Sequence, residues 1–453
     1  MSKDFTRFVC ALTTFVLVSS LPTTGQEVAS PDKGNPSETR ERRVIQIAPN
    51  DQVPTVRAIA PIGGGNVFFL NHRGQIGVAK FSPGLSQIGW EFYSEVKLNA
   101  LPFLAVGPGY SILSASPMEL TQAFDTDQDV ELDFFQAVVR EWPTRSEGVT
   151  ITAGPVADSH GRVLYALSPH SLKAGEPKKA RLMAWIPSAG KSIPVTESEL
   201  LIESFALRRD GLLATRLSMP DYADGFFLSL TELPAPESPS EKGSPTSAAA
   251  PPAPPLLPFT LPSLILPAEL TKRDRPVSPA FLEEDGVEKL ILTCPESRHL
   301  IEIVPEKAGG VWQGSVLLRG VAPKPIYALV EMETGRLLGG GDAGFLPLAE
   351  DPSVYRITSL TLADDGIVLE FSKPVDRFEA VKAENYSVKA IALGGGETSI
   401  DVEPVIDAGG RTVALKSKSV EPGHVLRVVC QNVPSEDGGK LLHSSVFRTI
   451  HAR

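Results

Sequence analysis

The sequence predicts an all-β protein: a six-bladed β-propeller followed by an immunoglobulin-like β-sandwich. Three observations carry this reading. Short apolar runs of strand length recur at even intervals and are separated by turn-forming residues. Asp-x-x-Gly or Asp-Gly turns precede several of them, at Asp158, Asp210 and Asp285. The composition, with 38 Gly and 40 Pro but only 5 Met, suits many short strands and tight turns rather than long helices.

In chain order, the first segment reads as an export signal, residues 1–25. Lys3 and Arg7 give a positive start, and Phe8 to Leu21 is an apolar run too short to span a bilayer comfortably. A retained N-terminal anchor is the competing reading. Residues 26–43 are polar, with alternating charges and Pro, and are expected to be a disordered lead-in.

Residues 44–350 carry the propeller pattern. The first unit is Val56–Ala60, Val67–Leu70 and Ile76–Phe81, divided by Gly63-Gly64-Gly65-Asn66 and Asn71-His72-Arg73-Gly74. The second is Phe103–Val106, Ser111–Ser114 and Leu120–Phe124; the third is Phe134–Val139, Ala153–Ala157 and Val163–Leu167. The fourth is Leu182–Ile186, Leu201–Leu207, Leu212–Thr215 and Phe226–Leu230. The fifth is Ala280–Leu282, Lys289–Thr293 and Leu300–Val304; the sixth is Trp312–Leu318, Ile326–Glu331 and Arg336–Gly340. A pair of β-sandwiches would share this cadence, but the repetition favours blades. A Pro-rich insertion, residues 233–268, interrupts the pattern between the fourth and fifth units and reads as a spacer between blades. Its polar first half cannot join a sheet, and its apolar end from Pro258 is expected to lie against the propeller.

Residues 351–453 contain seven strand candidates: Ile357–Leu362, Ile367–Phe371, Tyr386–Leu393, Ile400–Val405, Thr412–Lys416, Val425–Cys430 and Val446–Ile450. That spacing fits an immunoglobulin-like sandwich without the disulfide-stapled Cys-Trp-Cys core.

The net charge of -11, with no long basic run, argues against nucleic acid as a partner. No membrane span follows the signal. Cys294 and Cys430 fall in different predicted domains and read as two buried thiols. The chain has no Gly-x-Ser-x-Gly, His-Glu-x-x-His, phosphate loop or Cys-x-x-Cys-His.

The stretch Asp125-Thr126-Asp127-Gln128-Asp129-Val130-Glu131-Leu132-Asp133 supplies the one metal hypothesis. Asp125, Asp127 and Asp129 sit at the first three ligand positions of a calcium loop, and Asp133 lies further on. Val130 stands where such a loop needs Gly, and Gln136 where it needs a bidentate Glu. A solvated acidic hairpin marking a blade boundary is the favoured reading, with Ca2+ as the alternative.

Met118-Glu119-Leu120-Thr121 leading into that turn, Gly310-Val311-Trp312-Gln313-Gly314, and Leu369–Asp376 with Asn385–Val388 together resemble a family. It comprises exported β-propeller proteins of planctomycete-type bacteria, related to pyrroloquinoline-quinone (PQQ)-dependent glucose and sorbosone dehydrogenases, often with a C-terminal Ig-like domain. The resemblance implies a quinoprotein reaction, which needs a base and cations beside the quinone. His160, in the turn after Asp158, is the candidate base, and Arg208 and Arg209 are the candidate cations. Read for themselves, all three are turn residues. The favoured expectation is therefore a secreted or periplasmic noncatalytic protein. It would bind a protein or carbohydrate at the cell surface or in the periplasm, or serve surface assembly. The alternative is a divergent PQQ-dependent sugar or alcohol dehydrogenase passing electrons to an external acceptor.

Overall fold

The computed structural model describes residues 55–94, 98, 101–108, 111–127, 131–139, 149–169, 179–208, 210–218, 225–233, 263–271, 277–284, 286–392, 396–417 and 420–452. The expected signal, the lead-in, Arg209, Asp129 and most of the Pro-rich insertion lie outside them.

Six antiparallel sheets come first. Blade 1 holds β1 (Val56–Gly63), β2 (Asn66–Asn71), β3 (Ile76–Phe81) and β4 (Gln87–Phe92). Blade 2 holds β5 (Leu104–Val106), β6 (Ile112–Ala115), β7 (Leu120–Phe124) and β8 (Phe134–Val139). Blade 3 holds β9 (Val149–Ala157), β10 (Val163–Pro169), β11 (Ala180–Ile186) and β12 (Lys191–Ser198). Blade 4 holds β13 (Leu201–Leu207), β14 (Leu212–Ser218), β15 (Gly225–Glu232) and β16 (Leu264–Pro267). Blade 5 holds β17 (Val277–Glu284), β18 (Val287–Cys294), β19 (His299–Ala308) and β20 (Val311–Val321). Among the described residues blade 6 has three strands, β21 (Ile326–Glu331), β22 (Leu337–Gly341) and β23 (Gly344–Leu348).

The first strand of each blade packs beside the first strand of the next. The sequence β1, β5, β9, β13, β17, β21 then returns to β1, which closes a ring. The protein is a six-bladed β-propeller. Its core is laid down between neighbouring blades. Tyr165 and Trp185 of blade 3 pack with Leu113 and Leu120 of blade 2, for instance, and each fully buried side chain of this size contributes roughly 1.5–3 kcal/mol. The seam between blades 6 and 1 is sealed by side chains. Phe345 meets Phe69 edge-on at 5.4 Å and Phe81 at 5.1 Å, and Glu333 accepts a hydrogen bond from the Gly64 amide at 2.9 Å.

The strands agree with the expected positions better than the grouping does. Phe134–Val139 is the outer strand of blade 2, paired to β7, rather than the start of a third unit. The acidic stretch therefore joins two paired strands of one blade and is not a blade boundary. Leu182–Ile186 belongs to blade 3 and Trp312–Leu318 to blade 5. The shift arises because two outer strands, β4 and β12, have weak sequence signals. Pro194 sits inside β12 and is tolerated because that strand lies at the sheet edge. The apolar end of the Pro-rich insertion becomes β16 and completes blade 4.

The C-terminal part is a β-sandwich. One sheet orders β24 (Ile357–Ala363), β25 (Gly366–Phe371), β29 (Thr412–Lys416) and β28 (Glu403–Ile406). The facing one orders β31 (Ser445–Ile450), β30 (His424–Cys430), β26 (Tyr386–Ala392) and β27 (Glu397–Ile400). Leu369, Leu415, Leu426 and Val428 fill the space between them. The expected strand Ile400–Val405 is in fact two, one on each sheet. β31 also pairs with β20, so blade 5 and the second sandwich sheet form one eight-stranded sheet. Cys294 and Cys430 are both buried and in no disulfide, and burial pushes the Cys430 thiol up to about 12.

Candidate functional site: the axial channel

Each inner strand lies at the end of its sheet and pairs on its outer side only. Its other edge carries no ladder, and some of its backbone groups bond side chains of the neighbouring blade, as those of Ile202 do with Thr152 and Ser168. Six such edges surround a cavity of about 940 Å3, lined by the ends of the inner strands and the turns that follow them.

The two halves of this channel differ. Blades 1–3 present only apolar side chains, including Ile59, Pro61, Phe103, Val106, Pro155 and Val156. Blades 4–6 bring in all the charge: Arg208 and Asp210 from the turn after β13, Glu283 and Glu288 from blade 5, Glu331 and Glu333 from blade 6. Glu283 and Glu288 stand opposite each other in the β17–β18 ladder, a pairing that like charges disfavour. Arg208 relieves it by pairing with Glu288. The same guanidinium grips Asp210 with two bonds, Nε to Oδ1 and Nη2 to Oδ2, both 2.5 Å. Those bonds hold the Asp210 carboxyl below the usual carboxylate range. Gly211 adopts φ 96° and donates its amide to Arg208 O at 3.0 Å, so the turn sets both side chains at the channel.

Of the described candidate site residues, Arg208 alone lines the channel; the turn residue Asp210 joins it there. His160 is exposed in the β9–β10 turn, outside the lining. There its amide donates to Asp158 Oδ1 at 2.9 Å, and Asp158 also pairs with Arg162 at 2.6 Å. In the acidic turn, Asp133 accepts from the Thr126 amide at 3.0 Å and the Thr126 hydroxyl at 2.5 Å. The hydroxyl bond is the main reason its carboxyl sits below the ordinary range. Asp125 accepts from the Tyr93 hydroxyl at 3.1 Å. Asp125, Asp127 and Asp133 do not converge as a ligand trio among the described residues. The four glutamates of the channel escape sequence reading because each is an ordinary surface acid. Their shared signal is position, beside the turn that joins the first two strands of blades 5 and 6.

Among the described residues, Glu284, Glu302 and Glu350 are the carboxylate trio whose oxygens lie within 4.8 Å of one another. Arg319 bonds Glu284 Oε1 at 2.5 Å and Glu302 Oε2 at 2.9 Å; Lys289 lies 2.9 Å from Glu284, and Arg356 pairs with Glu350. Burial works against ionising Glu284, but the bonds from Arg319 and Lys289 outweigh it and bring its carboxyl down to about 2. Three cations already compensate three acids, so this is a structural joint and not a metal centre.

A quinone cofactor of the kind the sequence resemblance implies carries three carboxylates. Among the described residues the channel's acids outnumber its one guanidinium, Arg208, which is already committed to Asp210 and Glu288. Among the described residues no His or Lys lines it. The described residues do not fit that group.

No family model matches the chain, and no curated protein matches it. Solved structures similar to it include a glucose dehydrogenase, at 13% identity over 66% of this chain and 97% of that one, with a TM-score of 0.43. The soluble aldose sugar dehydrogenase of Escherichia coli is 12% identical over 66% and 97%, also with a TM-score of 0.43. A carbohydrate-active enzyme of family AA12 from Trichoderma reesei is 13% identical over 66% and 94%, with a TM-score of 0.44. These likenesses are faint, and the chemistry in those names is not carried over. No helix among the described residues is long and apolar enough to cross a membrane, which says nothing of strands.

Proposed function

We propose that the chain is an exported, noncatalytic binding protein whose ligand site is the axial channel. Its C-terminal sandwich serves as an immunoglobulin-like module that fixes the propeller for recognition or assembly at the cell surface or in the periplasm. The observation that carries the reading is the channel lining. Among the described residues it offers an apolar wall and carboxylates, the Arg208 cation is held in two ion pairs, and no imidazole or amine lines it to take a proton. Export rests on the signal-like pattern of residues 1–25. The immunoglobulin-like assignment rests on strand order. Lettered a, b, c, c′, d, e, f, g from β24 to β31, the two sheets read a-b-e-d and g-f-c-c′.

The alternative, a quinoprotein sugar or alcohol dehydrogenase, is separated by one experiment. Mature protein is mixed with PQQ and calcium, then assayed for a quinone absorbance shift and for dye reduction with aldoses. The binding reading expects neither. A saturable shift accompanied by dye reduction would overturn it.

A further inference from the structure

Blade 4 receives its fourth strand from far along the chain, since β15 ends at Glu232 and β16 begins at Leu264. Four register pairs join that strand to β15, from Gly225 with Pro267 to Leu228 with Leu264. Its outer edge meets the sandwich instead. The Ile265 amide donates to Thr449 Oγ1 of β31 at 3.3 Å, and Ser263 O accepts from His451 Nε2, just past β31, at 3.1 Å. A short helix follows, α1 (Ala268–Thr271), and continues the contact. Glu269 pairs with Arg427 of β30 at 2.7 Å, and Leu270 O accepts from His299 Nδ1 of β19 at 2.6 Å. Leu264, Leu266 and Leu270 are fully buried, in an apolar cluster that includes Leu292 and Ile301 of blade 5 and Val425 and Phe447 of the sandwich.

We propose that residues 263–271 are a strap. The sandwich, acting through Thr449, closes the outer edge of blade 4, and that edge opens or shuts with the sandwich, not with the insertion that delivers the strand. Thr449 is the joint. Its backbone lies opposite Gly314 in the ladder to β20, and its hydroxyl takes the Ile265 amide, so one residue of β31 holds the outer strands of blades 4 and 5 together. The outward N–H of an edge strand has no partner in its own sheet, and here a hydroxyl from another domain satisfies it. The outer strands of blades 1 to 3 are built differently. β4, β8 and β12 are mostly exposed or half-buried, whereas β16 alternates buried leucines with half-buried Ile265 and Pro267. The pairing edge of β15 is therefore bared only when the sandwich lets go. This holds whatever the axial channel binds.

The test is site-resolved amide hydrogen exchange on the full-length protein. In the unaltered chain the amides of residues 264–266 are expected to exchange at least about tenfold more slowly than those of β4 and β12. Thr449→Val is expected to speed the Ile265 amide about tenfold and to leave β14 unchanged, while Thr449→Ser keeps the hydroxyl and with it the protection. Deleting residues 240–250 of the insertion is expected to change exchange in β16 by no more than about threefold, because loop length enters only logarithmically. If Thr449→Val fails to fold, the unaltered chain and the deletion decide the matter. Exchange in β16 as fast as in β12, an Ile265 amide indifferent to Thr449→Val, or a deletion that speeds β16 by about tenfold or more would each overturn the proposal. An equal rise throughout blade 4 on Thr449→Val would also sink it, since the blade and not the strap would then have loosened.

Discussion

Glu302 is fully buried, and its neighbours explain why that is tolerable. Arg319, itself 8% exposed, bridges it to Glu284, while Lys289 and Arg356 close the network. Removing one partner leaves acids uncompensated in a low-dielectric site, which typically costs about 3–5 kcal/mol. Arg319→Ala is accordingly expected to destabilise the protein by about that amount in urea unfolding. A loss under about 1 kcal/mol, the size of an exposed pair, would show that water screens the cluster. The pH dependence follows from Glu284. Its folded carboxyl lies at about 2, below its ordinary 4.5, so its contribution is present above the ordinary value and is lost as pH falls towards 2. Unfolding free energy is expected to decline across that window, and Glu284→Gln to flatten the decline when the two are titrated side by side. At this scale the sequence was least legible. Arg208 could be named as a cation, but its pairing with Glu288 depends on a neighbouring blade. The buried network was invisible because Glu284, Glu302 and Arg319 read as ordinary strand charges.

Among the elements, strand positions were well marked and strand partners were not. β2 reads Asn-Val-Phe-Phe-Leu-Asn and is buried along its whole length, so composition alone identifies it. β12, Lys-Ser-Ile-Pro-Val-Thr-Glu-Ser, is a half-buried edge strand whose proline argues against a strand unless its place in the sheet is known. Missing such edges shifted the grouping of the strands that followed. The seam between blades 6 and 1 gives a prediction at this scale. Blade 6 has three strands among the described residues, and Phe345 on the third supplies ring contacts to Phe69 and Phe81. Phe345→Ala is expected to cost about 2–4 kcal/mol, given its partial burial, and to speed amide exchange in β2 and β22 before the other blades. Uniform exchange across all blades would show that the seam is held elsewhere.

For the whole molecule, the decisive feature is the ladder between β20 and β31, where Gly314 pairs with Thr449 and Val316 with Phe447. Arg448 reinforces it, donating to Ser315 Oγ and to Leu360 O, both at 3.0 Å, and pairing with Glu306. Phe447 and Val425 of the sandwich belong to the same apolar cluster as Leu292 and Ile303 of blade 5. Propeller and sandwich are therefore expected to unfold together, as one calorimetric transition with matching calorimetric and van't Hoff enthalpies. Two resolved transitions would contradict this, as would a stable, soluble fragment ending before the sandwich. The sequence by itself determined the all-β class, the strand positions and most turns, because alternation, apolar runs and turn glycines are local signals with local causes. Tertiary structure alone decided which strands share a blade, how the ring closes, where the channel's charge collects and how the sandwich joins blade 5. Those outcomes rest on pairings between residues far apart in the chain, and a backbone edge accepts whichever partner the packing of side chains brings to it.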